Sequence, residues 1–259
     1  MDQQERREFL IRSLLDERAE YRNMPIPASE ERQKMLLRSL MNVRPPEPIS
    51  DEFISVQDEY LQAENESRGI VDLTTLTPAR DGIYLWRGDI TTLKCGAIVN
   101  AANSGMTGCY QPCHSCIDNC IHTYAGVELR NYCNDIMQRQ GHSEPVGCAK
   151  ITPAFNLPCD YVIHTVGPTV VGKLTQRHKD QLEKCYLSCL KIADENKVKS
   201  IAFCCISTGV FMFPNEEAAR IAVDTVLKYR ESNNTPLEVI FNVFKQSDER
   251  IYERLLKKS

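Results

Sequence analysis

Ala97-Ile-Val-Asn-Ala-Ala-Asn-Ser-Gly-Met-Thr-Gly-Cys-Tyr-Gln-Pro-Cys-His-Ser-Cys-Ile-Asp118 decides how the rest of the chain is read. It opens as an apolar run, the mark of a buried strand, and crosses a loop of Asn, Gly, Cys and His. It enters a helical pattern near Asp118. A strand-loop-helix passage of this kind delivers side chains to the carboxyl end of a parallel sheet, where α/β folds keep their ligands. Four of the twelve cysteines (Cys109, Cys113, Cys116, Cys120) and two of the five histidines (His114, His122) fall between residues 109 and 122. That is not a core composition; it points to a metal.

Working outward, strands alternate with helices on both sides of this stretch. Ile83–Trp86 precedes it and ends in Arg87-Gly88-Asp89. Tyr161–Val166, Ile201–Ile206 and Val239–Phe244 follow as further strands. Helical patterns separate them: one from Asp118 to about Gln140, and one through Leu182, Cys185, Tyr186, Cys189 and Leu190. Another resumes after Pro214-Asn215, and the last covers Ile251–Leu256. Continuous apolar strands between amphipathic helices predict an α/β fold, a mostly parallel sheet covered on both faces.

Before about residue 75 the chain is strongly charged, with apolar residues at helical spacing. Phe9, Leu10 and Leu14 fit one helix face. Met35, Leu36, Leu40 and Met41 fit a second, capped by Ser29, and Phe53, Val56, Tyr60 and Leu61 a third, opened by Ser50. Prolines at 25, 27, 45, 46 and 48 separate them. We read a helical extension that packs against the flank of the main domain; a partner-docking role is the other reading.

Composition narrows the function classes. Net charge is −4, so nothing general draws the chain to nucleic acid or acidic membranes, and an anionic ligand needs local backbone amides. No run of about 18 apolar residues is present, which predicts no membrane span. Twelve cysteines behind a charged N-terminus without a signal-peptide pattern favour a reducing compartment, and the expectation is a cytoplasmic protein.

The loop Ile206-Ser-Thr-Gly-Val-Phe211 has small residues after a buried strand, so backbone can approach a ligand and successive N–H groups can hold an anion. Alone it reads equally as a plain strand-to-helix turn. Beside it stand Gly88-Asp89-Ile90-Thr91, Asn100-Ala-Ala-Asn103 and Val162-Ile-His-Thr-Val-Gly-Pro168, each at the end of a strand. In these four ordered motifs the chain resembles the macrodomain family, whose members bind ADP-ribose. The resemblance covers roughly residues 75 to 257. It implies a three-layer α/β/α macrodomain with a mostly parallel mixed sheet over 75–259, preceded by an N-terminal helical extension over 1–74. It further implies that Asp89 accepts from the adenine amine while Ile90 offers a backbone N–H. Ser207, Thr208, Gly209, Val210 and Phe211 would wrap the diphosphate, Asn103 would orient the distal ribose, and Phe244 would lie against the adenine.

The departure from the family pattern carries the sharpest expectation. Where common hydrolytic members run through glycines, this chain has Cys109-Tyr-Gln-Pro-Cys-His-Ser-Cys116 before Ile117-Asp118 regains register. This is similar to the zinc-containing macrodomains of bacteria and fungi, which hydrolyse ADP-ribosyl attachments. Bacterial members are associated with a lipoyl-carrier protein modified by a sirtuin-like transferase. The resemblance favours Cys109, His114 and Cys116 as ligands of one Zn2+ per chain, with a four-ligand structural site that adds Cys113 as the alternative. Cysteines 109, 113 and 116 also match the spacing of radical S-adenosylmethionine enzymes, but that motif belongs to a larger barrel and needs no histidine. Cys120 reads as packing.

The implied function is zinc-dependent removal of ADP-ribose from mono-ADP-ribosylated proteins, with Asn103 and Asp118 at the reacting end. The alternative is a reader module that binds ADP-ribose without cleaving it. Asp118 has a second reading as a helix cap. His122 and His164 read as core residues with satisfied ring nitrogens, and His142 and His178 as loop residues.

Overall fold

The computed structural model describes residues 1–258. The N-terminal region is three helices: α1 (Gln3–Asp16), α2 (Glu30–Val43) and α3 (Asp51–Ser67). Asp2 starts α1 with a reciprocal capping box with Glu5, and the Ser50 hydroxyl caps α3 at the Phe53 N–H. Ser29 precedes α2 as expected but makes no side-chain capping bond. Leu10, Ile11, Leu14, Leu15, Leu37, Leu40, Met41, Phe53, Val56, Tyr60 and Leu61 close on one another in a second core, which Val127 of the main body joins. The α2 face is turned from the one expected. Leu37, Leu40 and Met41 point inward and Met35 is exposed, because Gln33, Leu37, Leu40 and Met41 share the stripe that faces α1.

The main body holds a seven-stranded mixed sheet. In chain order the strands are β1 (Val71–Asp72), β2 (Pro78–Arg80), β3 (Ile83–Arg87), β4 (Leu93–Lys94), β5 (Ala97–Ala102), β6 (Ala149–Pro153), β7 (Tyr161–Val166), β8 (Ser200–Phe203) and β9 (Glu238–Val243). The large sheet runs β2-β3-β9-β8-β5-β7-β6, while β1 and β4 form a small parallel pair. Five central strands are parallel and both edge strands antiparallel. The short edges β2 and β6 escaped the sequence reading, since each is too brief and too polar to carry an alternation signal. Residues 97 to 100 are all fully buried, so β5 is covered on both faces. Helices α4 (Ile117–Ala125) and α5 (Val127–Gln140) form one packed group on the sheet. Helices α6 (Gln176–Glu195), α7 (Asn215–Asn233) and α8 (Gln246–Lys258) form another.

Three boundaries depart from expectation for local reasons. The helix expected from Asp118 to Gln140 breaks at Gly126, whose φ of 102° is costly for any side-chain-bearing residue. A Cβ there would lie 2.6 Å from the Gln57 amide, and Gln57 Oε1 instead accepts the Val127 N–H at 2.9 Å. The glycine thus lets α3 reach the break. Strand β8 ends at Phe203 rather than Ile206, where the chain turns and the Ile206 N–H donates to the Cys204 carbonyl. His178, expected in a loop, lies in the first turn of α6, where its ring accepts the Thr175 N–H.

The parallel strands bring their carboxyl ends to one edge. Arg87 of β3 is level with Val243 of β9, Phe203 of β8 with Phe241, and Ala102 of β5 with Val166 of β7. The segments that follow (Gly88-Asp89, Asn103 to Cys116, Gly167-Pro168, Ser207 to Phe211 and Phe244) therefore open onto a single crevice.

Candidate active site

At one end of the crevice Asp89 caps a short 3-10 turn, Ile90–Thr92. Its Oδ1 accepts from the Thr91 N–H at 3.0 Å and the Thr91 hydroxyl at 2.7 Å. Its Oδ2 is paired with Arg68. The Ile90 side chain is buried beneath this turn, while Phe244, one residue past β9, is exposed beside it.

In the middle lies the Ser207–Phe211 loop. Ser207 adopts a left-handed backbone with φ of 66°, and its buried hydroxyl has no partner among the described residues. Thr208 is tied back to the Cys205 carbonyl through its hydroxyl at 2.9 Å, and the Phe211 carbonyl accepts the Val170 N–H at 2.8 Å. Among the described residues nothing accepts the N–H groups of Gly209, Val210 and Phe211. Gly209 has open space around it and Val210 is exposed. Free N–H groups at the rim of a turn make an anion-holding concavity.

The other end is a polar network that runs from buried Asn100 and Asp118 out to exposed Asn103. Asn100 is fully buried on β5 and donates to Asp118 Oδ1 at 2.8 Å. Asn103 donates to Asp118 Oδ2 at 3.2 Å and to the Gly108 carbonyl at 3.0 Å, while its own oxygen accepts the Gly105 N–H. Asp118 sits in the first turn of α4, whose N-cap is Cys116, so the cap reading fails: its carboxylate faces inward to both asparagines. Burial pushes its pKa up to about 6, against the pull of Asn100, Arg130 and Asn103.

Cys109, His114 and Cys116 converge beside this network, their ligand atoms all within 4.8 Å of one another. The Cys109 Sγ to His114 Nδ1 separation is 3.8 Å. A tetrahedral zinc with ordinary bond lengths sets sulfur and nitrogen ligands about 3.6 Å apart, so the spacing fits. Burial pushes the Cys116 thiol up to about 12, only partly offset by the Asn119 N–H. A thiol so held keeps its proton until a cation displaces it. Cys113 turns the other way. With φ of 52° it faces α2, its sulfur 3.2 Å from the Ser39 hydroxyl and 3.5 Å from the Met35 carbonyl. The three-ligand set is therefore the one that the loop assembles.

A second buried group, His122, Cys133 and His164, lies behind Asp118. His164 Nδ1 is 3.1 Å from the Asn100 amide nitrogen, and its Nε2 is 3.0 Å from the Thr152 hydroxyl. Its two nitrogens are satisfied as expected, which leaves no lone pair for a metal. His122 departs from expectation: neither ring nitrogen has a hydrogen-bond partner among the described residues, and Asp118 Oδ1 stands 3.7 Å away. Its ring is spent on packing under Gly108, where a Cβ would lie 2.8 Å from it.

What braces the metal loop was not anticipated. Arg38 of α2 donates to the His114 carbonyl at 2.8 Å and to Asn119 Oδ1 at 2.9 Å, and it reaches Cys120 Sγ at 3.6 Å. Asn42 accepts the Cys113 N–H at 2.9 Å. Asn119 donates to the Gln111 carbonyl at 2.9 Å and the Cys109 carbonyl at 3.3 Å. Arg130 links the two regions, donating to the Thr107 carbonyl and to the last carbonyls of α2. Gln33, Asn42, Gln57 and Asn65 of the first helices are likewise polar and buried, and no local sequence pattern marks them.

Comparison with known proteins agrees with this fold. A family model described as Macro domain matches residues 99–222. A Treponema medium protein named Protein-ADP-ribose hydrolase is 59% identical over 260 residues, covering 99% of this chain and 100% of that one. A Staphylococcus aureus (strain MRSA252) protein of the same name is 51% identical over 253 residues, covering 96% and 94%. Among solved structures, a Trypanosoma brucei macrodomain in complex with ADP-ribose superposes with a TM-score of 0.65 at 30% identity, covering 84% of this chain and 94% of that one.

Proposed function

The chain belongs to the macrodomain family, and from that premise we propose that it is a zinc-dependent hydrolase of mono-ADP-ribosylated proteins. The reading is supported by relatives at 59% and 51% identity that match nearly end to end and carry the hydrolase name. The observation that carries it is the convergence of Cys109, His114 and Cys116 beside the Asn103–Asp118 network, off strand β5 and separated by β8 and β9 from strand β3, which leads to Asp89. A reader would need only the adenine and diphosphate ends.

In this reading Asp89 accepts from the adenine amine, the Ile90 N–H lies against the base edge, and Phe244 covers the ring. The N–H groups of the Ser207–Phe211 loop hold the diphosphate, and the unpartnered Ser207 hydroxyl donates to it. These contacts fix the distal ribose, so binding energy remote from the bond being cut holds the anomeric carbon in place. Asn103 orients a ribose hydroxyl. Asp118, near neutrality in its pKa, directs water and takes its proton as the bond to the protein side chain breaks. Cys109, His114 and Cys116 would hold zinc, which would supply a Lewis acid at that end of the ligand.

The substrate that the resemblance singles out is a lipoyl-carrier protein modified by a sirtuin-like transferase, in the cytoplasm. The test is release of ADP-ribose from aspartyl, glutamyl, seryl and arginyl conjugates and from such a modified carrier. The expected result is turnover of at least one class. Tight binding of ADP-ribose with release from none would make the protein a reader.

A further inference from the structure

Arg68, the first residue after α3, sits at the adenine end of the crevice although it belongs to the N-terminal helices. Its guanidinium pairs with Asp89 Oδ2 and donates to the Thr91 hydroxyl at 2.7 Å. Its other arm donates to Asn65 Oδ1 at 3.1 Å, and its plane lies 3.5 Å over the Tyr124 ring. Asn65 is itself buried and donates to the Asn156 carbonyl at 2.7 Å. The arginine is therefore held from three sides while its charge meets the Asp89 carboxylate.

We infer that Arg68 is a positioning residue for adenine recognition, which makes the end of α3 part of the nucleotide site. The inference rests on the reading of Asp89 given above. A carboxylate offers about four lone-pair directions. Thr91 takes up Oδ1 through its N–H and hydroxyl, and Arg68 takes one side of Oδ2. The remaining acceptor direction of Oδ2 is left for an amine. Because three bonds from fixed partners set the carboxylate plane, the acceptor is pre-aimed and little side-chain freedom is lost on binding. A base that presents a carbonyl in place of the amine meets a like dipole at the open direction of Oδ2 and is rejected. A lysine could supply the charge but not the second arm, through which the guanidinium is also tied to Asn65.

The test compares full-length wild type, Arg68→Ala, Arg68→Lys, Asp89→Asn and the Arg68→Ala/Asp89→Asn double variant. Calorimetry measures binding of ADP-ribose and of its hypoxanthine analogue, thermal melts check the fold, and turnover is split into kcat and KM. Loss of a hydrogen-bonded ionic partner should weaken ADP-ribose binding about tenfold in Arg68→Ala. KM should rise with kcat nearly constant, and the preference for adenine over hypoxanthine should shrink. Arg68→Lys should recover part of the affinity, and the double variant should be no worse than Asp89→Asn alone. The preference ratio is internal to each protein, so a loosened extension alone would leave it intact. An unchanged ratio in Arg68→Ala, or tighter ADP-ribose binding, which would mark the arginine as an occupant of the site, overturns the inference. Wild type that binds no ADP-ribose overturns the functional reading as well, whereas unaffected variants of a binding wild type overturn this inference alone.

Discussion

The two loops that frame the crevice are built on opposite plans. The candidate metal loop, Cys109 to Cys116, is held from outside by hydrogen bonds with Arg38, Asn42 and Asn119 and by Arg130 over the Tyr110 ring. The Ser207–Phe211 loop is held mainly by itself, with free N–H groups, a partnerless hydroxyl and exposed Val210 and Met212. The first arrangement fixes ligand atoms before any substrate arrives, as chemistry at a reacting carbon requires. The second leaves donors unspent for a ligand to satisfy. On the proposed function, the difference puts turnover on one loop and affinity on the other.

The comparison breaks most visibly if metal ligands are removed. His114→Ala should lower kcat about a thousandfold, in line with several kcal/mol of charge stabilisation, while ADP-ribose affinity by calorimetry stays within about threefold. Parallel loss of both would mean that the loops are not independent. Removing the outer brace should cost less. Arg38→Ala deletes the contacts to the His114 carbonyl and Asn119, and metal affinity should fall about tenfold to a hundredfold, as for other groups that orient ligands. A competing chelator titration reads this directly, and wild-type affinity would demote the arginine to surface packing.

The open loop should respond differently. Ser207→Ala removes a buried hydroxyl without a partner, so the melting temperature should hold or rise slightly. ADP-ribose affinity should drop by a few fold, about one hydrogen bond's worth, with kcat unchanged. A fall in kcat at full affinity would contradict the division.

The smallest effect is a slope. Burial holds His164 at about 3 and His122 well below its ordinary value, so the floor beneath the metal loop is neutral. The unfolded chain takes up these protons below about pH 6.5 and the folded chain does not. Their contribution is thus complete above pH 6.5 and is lost as pH falls toward 3. Asp118, raised in the fold, runs the other way, losing stability as pH rises from about 4 to 6. The difference between wild type and His164→Gln cancels that opposing group. The variant's stability should fall less on acidification, by up to about 1.4 kcal/mol per pH unit for one proton. Denaturant melts at pH 4 to 7 measure it; identical slopes would refute a neutral buried His164.

How much of this was legible follows from where each feature is encoded. The Ser207–Phe211 loop is marked in the sequence by its own small residues after an apolar run, so it stands out as a candidate without any distant contact. The parallel strands announced themselves as apolar runs, whereas β2 and β6 are short, partly exposed edges with no such run. Cys109, His114 and Cys116 stood out by residue type, but their support lies elsewhere: Arg38 contacts His114 across 76 positions of sequence. Arg68 likewise meets Asp89 only because α3 folds back over α4. No local pattern marks an arginine that will act in another region's site. The break at Gly126 was hidden for the same reason, its need being set by Gln57 on α3.

The division between the loops is tested most directly on one preparation carried through chelation and zinc reconstitution. ADP-ribose affinity by calorimetry and release from a conjugate by product detection are measured at each stage. The account predicts that turnover disappears with the metal and returns with about one zinc per chain, as a single site requires. Affinity for free ADP-ribose should change by no more than about threefold throughout, because adenine and diphosphate are held elsewhere. Full turnover by the metal-free protein, or affinity that vanishes in step with the metal, would contradict it.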